Sequence, residues 1–215
     1  MLKMNKTAIL LAFAAAVCAA SCSKSNNNNV TPASITYPYS FNDPFVNDTN
    51  GWIKIDAIHN LSITVSGGYL NFIYHPTTTN ANFKDTVNPA FDTKHDFVLQ
   101  TSVQSDHIMG LAFGTAAADY GYTFEIDNNG NYGLFHEGDS LSARSTILNW
   151  AKTPAANPGG ANVLEIDQTA GEWYGYINGV QVFSVTARPL LGSTIGIVAE
   201  ANTNGTADYI NVKWD

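Results

Sequence analysis

The sequence has little charge and almost no cysteine. Only 13% of its 215 residues are charged, about half of the roughly 25% that is usual in globular proteins. It contains two cysteines, and Cys18 lies within an apolar segment near the start of the chain. If that segment is cleaved off, Cys22 is the only cysteine left, which excludes a disulfide framework.

Basic residues are also scarce. The 10 Lys and Arg are outnumbered by 18 Asp and Glu, and the formal net charge is −8. Because such a chain has no means of neutralising a run of phosphates, we expect no nucleic-acid partner. Apolar residues are plentiful at 45%, which excludes intrinsic disorder of the whole chain.

No apolar run is long enough to span a bilayer. The longest, Ala8 to Ala20, has 13 residues, whereas a transmembrane helix needs roughly 20. Two lysines precede it and small residues follow it, a pattern typical of a secretory signal. The Ala19-Ala20-Ser21-Cys22 sequence resembles the lipobox of bacterial lipoproteins, which implies cleavage after residue 21 and lipidation of Cys22. An ordinary secretory peptide with a chance cysteine is the alternative.

A polar tract of low complexity follows, and residues 22–34 are therefore interpreted as a lipidated cysteine with a flexible Asn/Ser-rich tether. Ser23 after the cysteine resembles lipoproteins of Gram-negative bacteria that move on to the outer membrane. We expect a cell-envelope protein whose only contact with the membrane is its lipid anchor. Which side of the outer membrane it occupies stays open.

Residues 35–215 form one predicted domain built of strands. Apolar and polar residues alternate with period 2 in many segments, for example at 97–104, 122–127 and 195–199. Asn128-Asn129-Gly130 and Asn178-Gly179 predict hairpin turns, because Asn and Gly tolerate positive φ. Residues 77–96 and 139–160 are interpreted as long polar loops. The pattern predicts an all-β, two-sheet antiparallel sandwich.

The order of several short motifs extends this prediction. They are Phe-Asn-Asp-Pro-Phe at 41–45, Trp52, Gly-Leu-Ala-Phe at 110–113, the 122–132 hairpin, Asn-Val-Leu-Glu-Ile-Asp at 162–167 and Trp-Tyr-Gly-Tyr-Ile-Asn-Gly at 173–179. Over residues 37–214 this order resembles the concanavalin A-like lectin/glucanase superfamily, particularly its laminin-G-like and lipoprotein-borne domains. The resemblance implies a jelly-roll sandwich and a carbohydrate-related role.

Some members of that superfamily resemble β-glucanases that carry Glu-x-Asp-x-Glu on one strand. Alternate residues of a strand share a face, so the outer carboxylates can act together on a sugar bond. Here Glu125 and Asp127 match, but Asn129 stands at the third position. We therefore assign no catalytic residue and expect a binding protein rather than an enzyme. Hydrolysis of glycosides stays an alternative.

Sugar binding needs aromatic rings and hydrogen-bonding side chains on a wet sheet face. If Trp173 points into the core, its neighbours on alternate positions point outward. The candidate glycan contacts are Tyr174, Tyr176, Phe135, Trp150, Glu125, Glu165 and Asp167.

No cofactor is expected. A structural Ca²⁺ is possible, because the resemblance includes Ca²⁺ binders and Asp43 and Asp208 lie near chain ends that often meet in this fold, but no metal ligand is assigned. The sequence thus predicts an envelope-anchored carbohydrate-binding or adhesion module for polysaccharide handling. A structural envelope protein without a glycan ligand is a further alternative.

Overall fold

A computed structural model describes residues 36–77, 82–116, 120–138 and 144–215. Within these ranges the chain forms fifteen strands and no helix, and hence no helix that could cross a membrane. The predicted signal, Cys22 and the tether lie outside the described residues.

The strands follow the chain in this order: β1 (Tyr39–Asp43), β2 (Lys54–Asp56), β3 (Leu61–Ser66), β4 (Tyr69–Tyr74), β5 (Asn82–Val87), β6 (Phe97–Ser105), β7 (Ile108–Thr115), β8 (Gly121–Asp127), β9 (Asn131–Glu137), β10 (Ser145–Lys152), β11 (Asn162–Thr169), β12 (Glu172–Ile177), β13 (Val180–Thr186), β14 (Thr194–Glu200) and β15 (Thr203–Trp214).

The described strands form two antiparallel sheets. The nine-stranded sheet has the order β13-β12-β11-β6-β15-β4-β3-β2, with β1 also paired to β15. The six-stranded sheet has the order β10-β9-β8-β7-β14-β5. Strand β15 spans two neighbours, because Thr203–Ala207 pairs with β4 and Ile210–Trp214 pairs with β1. The predicted all-β, two-sheet antiparallel sandwich is confirmed.

The core lies between the sheets and consists of alternate side chains from both. Trp173 of the nine-stranded sheet packs edge-on against Tyr122 and Phe113 of the other sheet, with ring centroids 4.7 and 5.2 Å apart. Phe183 packs in the same way against Phe124 at 5.1 Å. Such aromatic pairs contribute about 0.5–1.5 kcal/mol each beyond the area they bury.

Both predicted hairpin turns are confirmed. Asn178 and Gly179 have φ values of 51° and 77° between β12 and β13, as a two-residue hairpin of type I′ requires. Gly130, with a φ of 82°, closes the turn between β8 and β9. The turn residues therefore fix the register of both hairpins.

The two predicted long loops are wrong in part, because each contains a strand. Strand β5 lies within 77–96 and β10 lies within 139–160, while β2 was also not predicted. These are edge strands with weak alternation, and β10 has two bulges against β9 that interrupt its period. Trp150 is consequently a strand residue and not a loop residue.

The motif at 41–45 has a structural role. Asp43 is buried, and its carboxylate accepts hydrogen bonds from the Phe45 amide at 2.8 Å, the Asn50 amide group at 2.6 Å and the Trp52 indole at 2.7 Å. Phe45 and Trp52 pack edge-on at 5.4 Å. The motif therefore fastens the loop after β1 onto the core.

Asp85 on β5 places a carboxylate in the core between the sheets. It is fully buried and forms an ion pair with Lys54 of β2, so the pair links the edges of the two sheets. Its Oδ2 has no hydrogen-bond partner among the described residues. Burial raises the pKa of Asp85 to about 6, although Lys54 opposes the shift.

This raised pKa predicts a pH-dependent stability. The folded state binds the Asp85 proton more tightly than the unfolded state, so the stabilisation is present below about pH 4 and is lost as the pH rises through about 6. Asp85→Asn should remove this slope. As the pH rises from 4 to 7, the unfolding free energy of the variant should therefore increase by about 2–3 kcal/mol relative to that of wild type. Urea denaturation at several pH values measures it, with Asp92→Asn, an exposed carboxylate, as control. Parallel pH profiles of wild type and Asp85→Asn would contradict the assignment.

Candidate functional site

The structure separates the predicted glycan contacts into two groups. One group lies on the outer face of the nine-stranded sheet, and the other belongs to the six-stranded sheet on the opposite side of the sandwich. The first contains Tyr174, Tyr176, Glu165 and Asp167, and the second contains Glu125, Phe135 and Trp150. The seven residues therefore do not form one site.

On the nine-stranded sheet, the tyrosines and carboxylates form cross-strand pairs. In the register of β11 and β12, Asp167 is opposite Tyr174 and Glu165 is opposite Tyr176. All four side chains are half-buried, while Trp173, which precedes Tyr174 on β12, is buried in the core. Tyr174 and Tyr176 are roughly 7 Å apart, one two-residue step along the strand. Both rings thus stand side by side on a face that solvent reaches.

Two further tyrosines and one amide extend this surface. Tyr209 of β15 donates a hydrogen bond to the Gln100 side-chain oxygen at 2.8 Å, and the Gln100 amide group donates to Glu165 at 2.8 Å. Tyr37, just before β1, lies near Asp167 and Thr169. We call this surface the tyrosine face, defined by Tyr37, Tyr174, Tyr176, Tyr209, Gln100, Glu165 and Asp167.

Burial, and after it the charge of neighbouring carboxylates, raises pKa values on the tyrosine face. Burial raises the pKa of Glu165, and the charge of Asp167 adds to this, while the Gln100 hydrogen bond opposes it. The pKa of Tyr176 is also raised, first by burial and then by Asp167 and Glu165. The tyrosine therefore stays a neutral hydroxyl, able to donate and accept hydrogen bonds.

Three residues of this face, Gln100, Tyr209 and Tyr37, were not predicted. Gln100 alternates with core residues on β6, and this alternation could have placed it on the outer face. Tyr209 lies within a bulge between Ala207 and Ile210, which shifts the alternation of β15. Tyr37 precedes the first strand. No sequence pattern marks the last two.

On the six-stranded sheet, one arginine joins three glutamates. Arg144, next to the start of β10, contacts Glu125 at 2.8 Å and Glu137 at 3.2 Å, and also forms an ion pair with Glu200 of β14. Thr123 donates to Glu125 at 2.7 Å and lies 3.2 Å from Glu137. We call this group the arginine cluster, defined by Arg144, Glu125, Glu137, Glu200 and Thr123.

Glycines make room for the cluster. Glu125 of β8 is opposite Gly110 on one neighbouring strand and Gly133 on the other. The Phe135 ring folds over Gly133, where an added Cβ would lie 2.6 Å from the ring. Arg144 then lies 4.0 Å above the Phe135 centroid, in a cation–π contact. The guanidinium is thus held by its ion pairs with the glutamates and by the Phe135 ring.

The prediction of a wet Glu125 is wrong. Its exposed fraction is 0%, because the outer face of β8 is covered at this position. Burial raises the pKa of Glu125, and Arg144 opposes the shift. Burial alone would lower the pKa of Arg144, but the three glutamates more than offset it and raise that pKa above its usual value. Glu125 is therefore committed to an ion pair.

Phe135 and Trp150 differ in access. Phe135 faces away from the core as predicted, but it is only 5% exposed. Trp150 contacts it with ring centroids 5.4 Å apart and remains 42% exposed. Of the three predicted residues on this sheet, Trp150 is the one that a ligand could reach directly.

The incomplete carboxylate motif has a turn function. The Asp127 carboxylate accepts hydrogen bonds from the backbone amides of Asn129 and Asn131 at 2.9 and 2.8 Å. Asp127 thus stabilises the β8–β9 turn instead of facing a ligand. In the described residues no three His, Cys, Asp or Glu side chains group closely enough to hold a metal ion, and the structural Ca²⁺ stays a prediction.

Comparison with known proteins shows the fold. No protein-family model matches the chain, and no curated protein matches it either. Among solved structures, an endo-acting O-glycanase of the human gut microbiota that initiates mucin breakdown aligns with a TM-score of 0.54, 12% identity and 81% and 98% coverage of the two chains. The exoplasmic/lumenal domain of VIP36, in its Ca²⁺/Man3GlcNAc-bound form, aligns with a TM-score of 0.51 and 12% identity, covering 71% of this chain and 80% of its own. The Bacillus licheniformis β-glucanase aligns with a TM-score of 0.50 and 12% identity, covering 80% of this chain and 97% of its own. The chain has the concanavalin A-like jelly-roll fold of lectins and glucanases, as the motif order predicted.

The arginine cluster predicts a strong effect of one substitution. Arg144→Met leaves buried glutamates without their cation, which should lower the unfolding free energy by about 3 kcal/mol at pH 8. The loss should be smaller at pH 5, because the unpaired glutamates then bind protons in the folded state. Urea denaturation at both pH values measures this.

Two variants control the experiment. Arg188→Met removes an exposed arginine and should change stability little. Adding Glu125→Gln to Arg144→Met should recover part of the loss, because one buried charge is gone. Equal effects of Arg144→Met and Arg188→Met would show that the cluster does not stabilise the fold.

Proposed function

We propose that this protein is an envelope-anchored lipoprotein whose jelly-roll domain binds neutral glycans on the tyrosine face. The observation that carries the proposal is the grouping of four tyrosines with two carboxylates and an amide on one outer sheet face. The sequence placed only four of these seven residues there, and the fold adds the rest around them.

The chemistry of the face suits a sugar. Tyrosine rings offer flat apolar surfaces that can pack on the C–H faces of a sugar ring at a low cost in side-chain entropy. Tyr174 and Tyr176 have no hydrogen-bond partner for their hydroxyls in the described part of the chain, which leaves both free for a ligand. Glu165 and Asp167 can accept hydrogen bonds from sugar hydroxyls.

The charge of the face favours neutral ligands. Glu165 and Asp167 lie on adjacent outward positions of β11, and the whole chain has a net charge of −8. Sulfated or carboxylated polysaccharides would meet repulsion from both, and the single lysine near Glu165, Lys213 of β15, acts on it less strongly than Asp167 does. Neutral glycans avoid it and still supply hydroxyl donors.

The structural neighbours support a glycan as the class of ligand. An O-glycanase, a lectin domain bound to Man3GlcNAc and a β-glucanase share the fold, although each is only 12% identical to this chain. Their surfaces need not correspond to the tyrosine face. The proposal of the site therefore depends on the residues of this chain alone.

Catalysis is the second candidate, and one observation favours it. Glu125 and Glu137 approach each other closely enough for Thr123 to contact both. Arg144 occupies the space beside both carboxylates, however, and both are buried. A glycosidase would need them open to a sugar bond, so binding without hydrolysis is the better supported function.

The tyrosine face predicts which variant loses binding. The Tyr174→Ala/Tyr176→Ala double variant should bind a glycan identified on an array of neutral oligosaccharides at least tenfold more weakly, a loss of about 1.4 kcal/mol or more. The detergent-solubilised full chain is measured by calorimetry, and the ligand is analysed afterwards for cleavage products.

Trp150→Ala is the matched control, since it removes an exposed aromatic ring from the opposite sheet. A loss in Trp150→Ala alone would move the site to the six-stranded sheet. Unchanged binding in the tyrosine variant would remove the tyrosine face as the site, and binding of no glycan at all would favour a structural envelope protein.

The anchor makes a separate prediction. Mass spectrometry of the mature protein should find residues 1–21 removed and Cys22 acylated on its thiol and its new amine. Two or more acyl chains would give stable membrane attachment, whereas one gives only marginal binding. Cys22→Ser should abolish the modification and release the protein from the membrane fraction. An unmodified terminus at another position would contradict lipidation.

A further inference from the structure

A groove of about 650 Å³ lies on the same outer sheet face as the tyrosine face, but at a different end. Its floor includes three side chains from adjacent strands: Asn71 of β4, Thr206 of β15 and Gln104 of β6. The register places Thr206 opposite both Asn71 and Gln104. Strand β11 begins only at Asn162, so the sheet narrows here and leaves the space open.

The walls of the groove are fixed by hydrogen bonds. On one side, the Gln104 amide group donates to the Gly159 carbonyl at 3.0 Å. At the end, the Asn204 backbone and side-chain amides donate to the Asp106 carboxylate at 2.7 and 2.6 Å. On the other side stands Ile73, which is 48% exposed. The groove is therefore preformed, with one apolar wall.

The floor presents oxygen atoms that can accept hydrogen bonds. The Asn71 amide group donates to the Ser66 hydroxyl at 3.1 Å and to nearby carbonyls, which leaves its side-chain oxygen free. The Gln104 side-chain oxygen and the Thr206 hydroxyl likewise have no partner among the described residues. A ligand rich in hydroxyl donors, with one apolar side for Ile73, fits this lining.

A line of outward positions leads from the groove toward the tyrosine face. A smaller depression of about 110 Å³ adjoins it and shares Gln104 and Thr206, with Ser102 as a further lining residue. Gln100, Ser102 and Gln104 occupy successive outward positions of β6, and Gln100 already belongs to the tyrosine face. The path from Gln104 to Gln100 is roughly 13 Å, and two strand spacings to Tyr176 add about 10 Å across the sheet.

We propose that the groove and the tyrosine face are two ends of one track, which binds an extended neutral oligosaccharide chain rather than a single sugar. The groove holds the end of the chain, and the tyrosines hold residues further along it. This inference rests on the proposed glycan-binding function and specifies the class of ligand. Asp106 and Asp208 beside the groove extend the negative charge of the track, which disfavours acidic chains.

The test compares ligands of increasing length. A series from the monosaccharide to the hexasaccharide of the neutral glycan that binds best is titrated into the full chain. Affinity should rise with length until the track is filled. Thr206→Tyr fills the floor of the groove and should weaken binding of the hexasaccharide at least tenfold, with little effect on the disaccharide.

Two further variants show whether an effect is specific to the groove. Thr64→Tyr introduces the same side chain on the same sheet face, opposite Asn71 but outside the groove, and should bind every ligand as wild type does. Ile73→Ser removes an exposed side chain, so folding is unaffected, and should weaken only the long ligands by about threefold. Thermal unfolding verifies that all variants are folded.

The outcomes separate this inference from the proposed function. Equal affinity for all lengths, or an unchanged hexasaccharide affinity in Thr206→Tyr and Ile73→Ser, would overturn the track, and the tyrosine face would stand if its double variant still loses binding. Loss of binding at every length in the double variant, together with loss of only long ligands in the groove variants, supports both. If no oligosaccharide binds to wild type, both proposals fail.

Discussion

The contact of Trp173 with Tyr122 and Phe113 joins the two sheets, and the surfaces of the molecule follow from it. Because side chains of a strand alternate, burying Trp173 and Ile177 in the core forces Tyr174 and Tyr176 outward. The same constraint on β6 places Gln100 outward between Leu99 and Thr101, which are buried. On each strand, the residues that are buried in the core thus determine which residues face outward. A one-residue shift in register would exchange the core-facing and outward-facing side chains.

The carboxylates on the two outer faces differ in burial and in their partners. On the six-stranded sheet, Glu125 is fully buried, and its desolvation is offset by the Arg144 cation and the Thr123 hydroxyl. Arg144 itself lies over the Phe135 ring. Removing one partner would leave an uncompensated buried charge, which makes the cluster part of the folded structure. On the nine-stranded sheet, Glu165 is only half-buried and bonded to the neutral Gln100. It keeps contact with water, so a ligand can exchange with that water without breaking an ion pair.

The sequence predicted the fold because the fold depends on local patterns that repeat. Period-2 alternation located the central strands, and Asn178-Gly179 located a hairpin whose φ values only such residues adopt readily. The edge strands β5 and β10 escaped prediction, because an edge strand has one neighbour and bulges break its alternation. The site was predicted in part. Tyr174, Tyr176, Glu165 and Asp167 follow from the alternation of two adjacent strands. Tyr209 lies 109 residues beyond its partner Gln100 and within a bulge of β15, so no local pattern places it there. The burial of Glu125 depends on its contact with Arg144, which no sequence pattern predicts.

The composition links these observations. The chain has only two arginines and a large excess of carboxylates, so few of its acidic groups can be neutralised by a guanidinium. Arg144 is used for three glutamates at once, on a face where glycines allow close packing. The carboxylates of the tyrosine face and of the groove are instead satisfied by amides and hydroxyls, as Glu165 and Asp106 are. Neutral donors can be replaced by the hydroxyls of a sugar at little electrostatic cost, whereas a bound guanidinium cannot. Scarcity of arginine therefore leaves the carboxylates of the tyrosine face without a guanidinium, whereas the three glutamates of the arginine cluster share one.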